Sequence, residues 1–540
     1  MARRWWAGAG LVALVGLALA PAPPVFAHAG LESTIPEANS VLQQAPPAVV
    51  LDFDENIDTG LASIRLYRGD SSEIELGDPT QGADGSIVTV PLPSLGDDVY
   101  AVVWHVASAD GHVVDGAFSF QVGRTSQGDG SALIESVRRG VRATPSVRWW
   151  AGVARFAGYL SATVLIGAGW WIVVAHRMGV AVERRRRRLV PFAAGLLAMA
   201  SAAAFVLFGA EAVAGSLSDA FAPTVWNATA GSRTGLLLKG RLGIAIAWCA
   251  LVALHSRLPA RWRNTLAGAF AIATIYTFSA VGHPSGQHPS AVWIAVDMLH
   301  MAAIALWFGG LLMLALSPAT ALADEAGQRF ARRFSRVALV AAPAAVITGV
   351  ASALKIGGGL DHLVDTEWGK EIILKAALVA VILVLAAVAR FVLHRRSTTL
   401  LRPAILSEAV IGLAVMALAA SIVSLSPLPA PAQAPFAGQL ASPQGLIAVV
   451  SIGPGAVGSN VVHIFITPPG GSIVPVKSMT ARVSLLSTAL VEVPVTLHLE
   501  GPNHYQGTVT FPRGGEWRLE LIVQVTDVQQ QSLTTTVPIP

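Results

Sequence analysis

Two groups of residues in this sequence of 540 residues have the types and spacing to hold a metal ion. The first begins at His28. Arg3 and Arg4, the apolar run from Leu11 to Ala20 and the small-x-small Val25-Phe26-Ala27 read as a secretory signal over residues 1–27. Cleavage after Ala27 would leave His28 as the mature N-terminus, with its α-amine and imidazole free to chelate one metal. Nitrogen and oxygen donors in a tetragonal arrangement suit Cu(II). Asp110 and His112, in Ser108-Ala109-Asp110-Gly111-His112, could supply one oxygen and one more nitrogen. On an extended strand, residues two apart share a face, and a tight turn at Gly111 would also bring them together.

The second group lies in an apolar region. Gly282-His283-Pro284-Ser285-Gly286-Gln287-His288-Pro289 is followed by Asp297, His300 and Met301. Spacings of three and four place Asp297, His300 and Met301 on one helix face, with His283 and His288 just above. Imidazole accepts either copper oxidation state and thioether favours Cu(I), so the group reads as a copper relay. Other readings stand beside it. His283 and His288 are also ordinary loop residues next to prolines, and Asp297 could form a structural ion pair with Lys239, Arg241 or Lys375.

Placing these residues requires a membrane protein. The chain is 53% hydrophobic and 13% charged, against about 25% charged in soluble proteins, with a mean hydropathy of +0.58. The single cysteine, Cys249, excludes an intramolecular disulfide and a CxxC metal site. The arginines sit in short loops, which argues against a nucleic-acid partner. Eight apolar segments are expected near 149–175, 189–210, 235–255, 264–282, 291–316, 336–355, 371–394 and 404–425, each close to the ~20 residues that span a bilayer. The loops at 176–188, 256–263, 317–336 and 395–403 carry six, three, four and three arginines, and the alternate loops hold only Arg233 and Lys370. Positive loops stay inside, so both chain ends of the bundle face outward, as the signal segment requires.

The flanking regions alternate apolar and polar residues between Gly, Pro, Asp and Ser, as strands do. The expected organisation is a β-sandwich over 28–123, a linker over 124–147, an eight-helix membrane bundle over 148–427, a Pro-rich linker over 428–444, and a second extracytoplasmic β-sandwich over 445–540. That last domain contains His463, His498 and His504 without metal spacing, and a lid or docking role is expected of it.

The His28-Ala29 start, Leu51-Asp52-Phe53-Asp54-Glu55 and the run Val103-Trp104-His105-Val106-Ala107-Ser108-Ala109-Asp110-Gly111-His112-Val113-Val114-Asp115-Gly116 resemble the copper-resistance protein C (CopC) family. The resemblance implies an immunoglobulin-like sandwich binding extracytoplasmic Cu(II) through His28, Asp110 and His112. It also implies a nearby carboxylate, Glu55, and a structural or supporting role for His105. No methionine lies between residues 28 and 147, so the Met-rich Cu(I) site of some members is not expected. The histidine-rich outer loop, with Phe334-Ser335-Arg336, Thr348-Gly349, Trp368-Gly369-Lys370, Lys375 and Leu406-Ser407-Glu408, resembles the copper-resistance protein D (CopD) family. That resemblance implies copper movement across the cytoplasmic membrane.

The expectation is a non-enzymatic copper importer with a tethered capture domain, whose partners are copper ion, the bilayer and an extracytoplasmic copper donor or acceptor. No GxxxxGK[ST] loop is present to bind a nucleotide, so the inside-negative potential, worth about 2.3 kcal/mol per charge per 100 mV, makes import the natural direction. Two alternatives remain. One is a binding protein that delivers copper to an extracytoplasmic oxidase without transport. The other is a membrane copper or haem redox protein, which Asp110 on the copper and the loop position of His283 and His288 disfavour.

Overall fold

The computed structural model describes residues 31–539 apart from 37, 39, 43, 54, 83–84, 109–110, 112, 124–129, 139–142, 181, 183–186, 318–323, 358, 361–362, 395–400, 426–435, 454, 456, 468–475, 487–491 and 502. The signal segment and His28, Asp110 and His112 lie outside the described residues; Gly111 and Glu55 lie within them.

Nine strands build the N-terminal domain: β1 (Leu31–Ile35), β2 (Val41–Leu42), β3 (Ala48–Phe53), β4 (Ile57–Arg68), β5 (Glu73–Ile74), β6 (Thr80–Gln81), β7 (Ile87–Pro91), β8 (Asp98–Ser108) and β9 (Val113–Val122). They form a four-stranded sheet, β1-β3-β7-β6, and a five-stranded sheet, β2-β9-β8-β4-β5. One core joins both: Val49, Leu51 and Phe53 alternate inward from β3 to meet Tyr100, Val102, Trp104 and Phe120. Trp104 stands edge-on to Phe53 with ring centroids 5.3 Å apart.

Strand β8 breaks the alternation, because every residue after Asp98 is buried. A strand reads as continuously apolar when both faces are covered. Within the stretch expected as a linker, helix α1 (Gly130–Arg138) lays Leu133, Ile134 and Val137 on Val99, Ala101 and Val103. Farther along β8, Ala107 is covered by the membrane helices.

The bundle comprises α2 (Pro145–Arg177), α3 (Leu189–Ala212), a short α4 (Pro223–Gly231), α5 (Arg233–Ala253), α6 (Ala260–Ser279), α7 (Ser290–Ala315), α8 (Glu325–Ile356), α9 (Glu367–His394) and α10 (Leu401–Ile422). Seven of these are long and apolar enough to cross a bilayer, which makes this a multi-pass membrane protein. The exception among the eight expected spans is α6. It is a helix of 20 residues, but Arg261, Arg263 and Asn264 at its start dilute its hydropathy. It nevertheless runs antiparallel to α5, where Trp248 Nε1 donates to Thr274 Oγ1 at 3.2 Å and Arg241 donates to the Thr277 carbonyl at 2.6 Å.

Helices α2 and α7 cross at backbone distance. A π-turn at Val164–Ala168 sets Gly167 against Gly309, and a Cβ on Gly167 would lie 1.9 Å from the Ala305 oxygen. Below the crossing, the fully buried Trp171 donates to the Leu306 carbonyl at 2.8 Å and stands edge-on to Phe330 and Phe334.

The C-terminal domain differs from the expected sandwich. Strands β10 (Phe436–Ala441), β11 (Ile447–Gly453), β12 (Gly458–Thr467), β13 (Ser478–Leu485), β14 (Glu492–Gly501), β15 (His504–Phe511), β16 (Gly515–Thr526) and β17 (Gln529–Ile539) form one hydrogen-bonded sheet in the order β10-β11-β12-β15-β14-β13-β16-β17. The sheet curls around a single core that includes Val450, Ile464, Phe511, Trp517 and Leu521. Its end strands approach each other, with Ser442 Oγ donating to Gln531 Oε1 at 2.5 Å. Alternation along each strand fixes which residues point inward, but it does not distinguish a curled sheet from two stacked ones.

Candidate functional site

The soluble N-terminal domain is seated on the membrane helices. Leu61 and Ala107 pack with Phe205, Phe208 and Ala212 of α3 and Leu238 of α5. His105 Nε2 lies 2.9 Å from the Glu211 carbonyl oxygen. That carbonyl, in the last turn of α3, also accepts from the Ala214 N–H at 3.2 Å; a carbonyl oxygen has two lone pairs and only accepts, so the imidazole donates its proton there. The Glu211 carboxylate in turn accepts from Arg155 at 3.4 Å. His105 is therefore a docking residue, buried between domains.

Gly111 lies between Asp110 and His112 in the sequence. Its φ of +93° lies in the left-handed region that favours glycine. A Cβ there would come within 2.7 Å of Thr234 Oγ1 and 3.4 Å of Val281 Cγ1. Gly111 thus lies against the start of α5 and the residue two before His283. Beneath it lies a cavity of about 110 Å3 lined by Arg155, Tyr159, Glu211, Thr234, Arg241 and Gly282, among others. Arg241 donates to Thr277 and lies 3.6 Å from the Phe278 ring centroid.

The structure separates the residues of the expected relay. His283, the first residue of a single helical turn, His283–Gly286, is buried, whereas His288 is exposed. Gln287, between them, is 1% exposed, and neither end of its amide has a hydrogen-bond partner among the described residues. In the sequence, the one signal for Gln287 is its position inside the histidine loop.

Asp297 lies beside the buried Ser279 hydroxyl of α6, and both Asp297 and His300 sit in the field of the Lys375 ammonium from α9. Of the three cations weighed as ion partners of Asp297, Lys375 is the neighbour; Lys239 donates to the Ala230 carbonyl at 2.6 Å instead. Met301 packs into the bundle core.

His300 is seated on α8. Its Nδ1 lies 2.9 Å from the Ala345 carbonyl and 3.0 Å from Thr348 Oγ1. The Thr348 hydroxyl donates to the Ala344 carbonyl at 2.6 Å, and a carbonyl only accepts, so the proton between His300 and Ala345 belongs to Nδ1. The neutral ring then keeps its lone pair on Nε2, the arrangement found in metal-ligating histidines. Gly349 supplies clearance: a Cβ there would meet His300 Cε1 at 3.0 Å. Among the described residues no three His, Cys, Asp or Glu side chains converge on one metal-sized site.

The chain resembles known proteins in three stretches. The CopC domain matches residues 31–123, the copper resistance protein D-like N-terminal domain matches 146–288, and copper resistance protein D matches 328–422. The protein YobA of Escherichia coli K12 is 36% identical over 18% of this chain and 82% of its own length. The chain belongs to the copper-resistance family that joins CopC and CopD domains. Copper transport protein CutJ of Bacillus subtilis is 28% identical over 88% of this chain and 87% of its own length. Among solved structures, CopC from Methylosinus trichosporium OB3b aligns over 19% of this chain and 98% of its own, at 25% identity and a TM-score of 0.17. In this CopC–CopD chain, Glu55 lies inside the CopC match and His283 and His288 inside the N-terminal CopD match. Asp297, His300 and Met301 fall between the two CopD matches.

Proposed function

We propose that this CopC–CopD protein captures Cu(II) outside the cytoplasmic membrane and passes copper inward across it. His28, Asp110 and His112 form the capture site with Glu55 beside it. His283 and His300 receive the metal in the membrane, and Asp297 supplies negative charge near His300. His288 and Met301 are peripheral to this route, because one is exposed and the other packs in the core. Eight helices cross the bilayer and both soluble domains lie outside. Support for the eighth comes from the α5–α6 hairpin: α5 starts, and the chain leaving α6 ends, against Gly111 of the CopC domain. If α5 crosses away from that domain, α6 crosses back.

The observation that carries this reading is the contact of Gly111 with Thr234 and Val281. It supports transfer from a capture site around Gly111 to His283 as a local step inside one chain, where tethering raises the effective concentration. Arg155 is balanced by Glu211, and the remaining guanidinium, Arg241, repels a cation and turns the route away from the cavity it lines, towards His283. His300, with Nε2 as acceptor, is the next nitrogen donor inward.

Metal analysis of the cytoplasmic fraction of spheroplasts tests this reading, comparing the native chain with His283→Ala/His300→Ala at equal expression. Higher copper with the native chain, lost in the double variant, supports import through these residues. Equal copper in both overturns import and leaves extracytoplasmic delivery.

A further inference from the structure

A second cavity, of about 240 Å3, lies toward the arginine-rich end of the bundle, between α7, α8, α9 and α10. Its walls are mostly apolar, including Leu311, Phe334, Ala342 and Leu383. Two charged residues line it, Glu408 of α10 and Arg390 of α9; α7 contributes no titratable side chain, and the polar group from α8 is the Ser335 hydroxyl. Arg390 is engaged elsewhere, donating from one terminal nitrogen to Ser335 Oγ at 2.5 Å. Glu408 is 3% exposed and has neither a hydrogen bond nor an ion pair among the described residues.

An ionised carboxylate in an apolar wall, with no counter-ion in contact and no donor to it, is strongly disfavoured; such a group takes a cation or a proton. Ionisable residues at this depth in a membrane protein are costly to keep and mark ion or proton pathways. The lining residues include no sulfur and no imidazole, so soft Cu(I) finds no suitable ligand set in this cavity. A proton needs only the carboxyl.

We infer that Glu408 is a proton-exchanging group on the inner half of the copper path. It holds a proton in the arrangement seen here, with Arg390 on Ser335. It releases that proton as a copper ion passes inward from His300, and regains it from the cytoplasmic side once the metal has left. Protons on the inner side then compete with copper exit. This deepens the transport reading and rests on it.

The test uses the full chain reconstituted in liposomes, with Glu408→Gln and Glu408→Asp variants and with Cu(I) and Cu(II) added separately outside. Infrared difference spectra should contain a protonated-carboxyl stretch that is lost in Glu408→Gln and kept in Glu408→Asp. Acidifying the lumen should slow copper entry several-fold in the native chain and in Glu408→Asp, and leave Glu408→Gln unaffected. A carboxyl band unchanged in Glu408→Gln, or the same lumenal pH dependence in that variant, overturns the inference. Loss of the band together with no copper entry by the native chain would overturn the transport reading while leaving the proton assignment in place.

Discussion

His105 donates from Nε2 to the Glu211 carbonyl oxygen across 2.9 Å, joining strand β8 of the CopC domain to the last turn of α3. The bond is buried between the domains, and Glu211 is tied through its carboxylate to Arg155 of α2. Replacing His105 with Ala removes a buried hydrogen bond and leaves a void, a loss of about 1–3 kcal/mol. His105→Ala should keep Cu(II) affinity at the proposed capture site but raise hydrogen exchange along α3 near Glu211 and slow copper entry. Unchanged exchange at α3 would show that the docked arrangement does not depend on this bond.

The proposed capture site requires a free α-amine at His28. One extra residue placed before His28, with cleavage confirmed by mass spectrometry, should weaken Cu(II) binding by about tenfold or more, equivalent to about 1.4 kcal/mol. Asp110→Ala and His112→Ala should do the same, each read by competition titration of Cu(II). Unaltered affinity in the extended protein would remove His28 from the ligand set.

Gly349 and Thr348 hold His300 in one orientation. Gly349→Ala sets a Cβ 3.0 Å from His300 Cε1 and displaces the ring, although Ala favours the helix over Gly by about 1 kcal/mol. Thermal stability should therefore be kept while copper entry falls toward the His300→Ala level. Full transport activity in Gly349→Ala would show that the ring position does not matter.

The α2–α7 crossing has no space for a side chain. Gly167→Ala drives a Cβ into the Ala305 oxygen, and overpacking of this kind costs about 1–3 kcal/mol. Lower thermal stability in detergent is expected, with Cu(II) binding at the CopC domain intact. A melting temperature equal to the native one would show that the crossing relaxes freely.

Asp58, on β4 of the CopC domain, has its carboxyl pushed above the ordinary value by burial, partly offset by the Gly60 backbone N–H. The folded state then binds that proton more tightly than the unfolded state, so stability falls as pH rises from the ordinary carboxylate range through the raised value. Above that value the penalty is complete. Asp58→Asn should therefore raise the melting temperature at neutral pH, with the gain shrinking as pH falls. A gain independent of pH, followed by thermal unfolding across an acid-to-neutral series, would assign the effect to something other than this carboxyl.

The sequence by itself determined the features that depend on local pattern. Hydrophobic runs of span length, arginine asymmetry in the loops and alternation in the strands are set by residue type and neighbour spacing, so the membrane bundle and the two β domains were legible. Only the tertiary structure decided how distant segments meet. That His105 donates to the last turn of α3 and that His300 is fixed by Ala345 and Thr348 depends on residues 106 and 45–48 positions away. That Gln287 is buried while His288 is exposed depends on how one loop lies over the bundle. Alternation pointed to a sandwich for the C-terminal domain, where the structure has one curled sheet, because a strand pattern fixes which face is inward and not whether the sheet closes on itself. Spacing along one chain constrains one face of one element; a site is made where faces of several elements converge, and packing alone sets that.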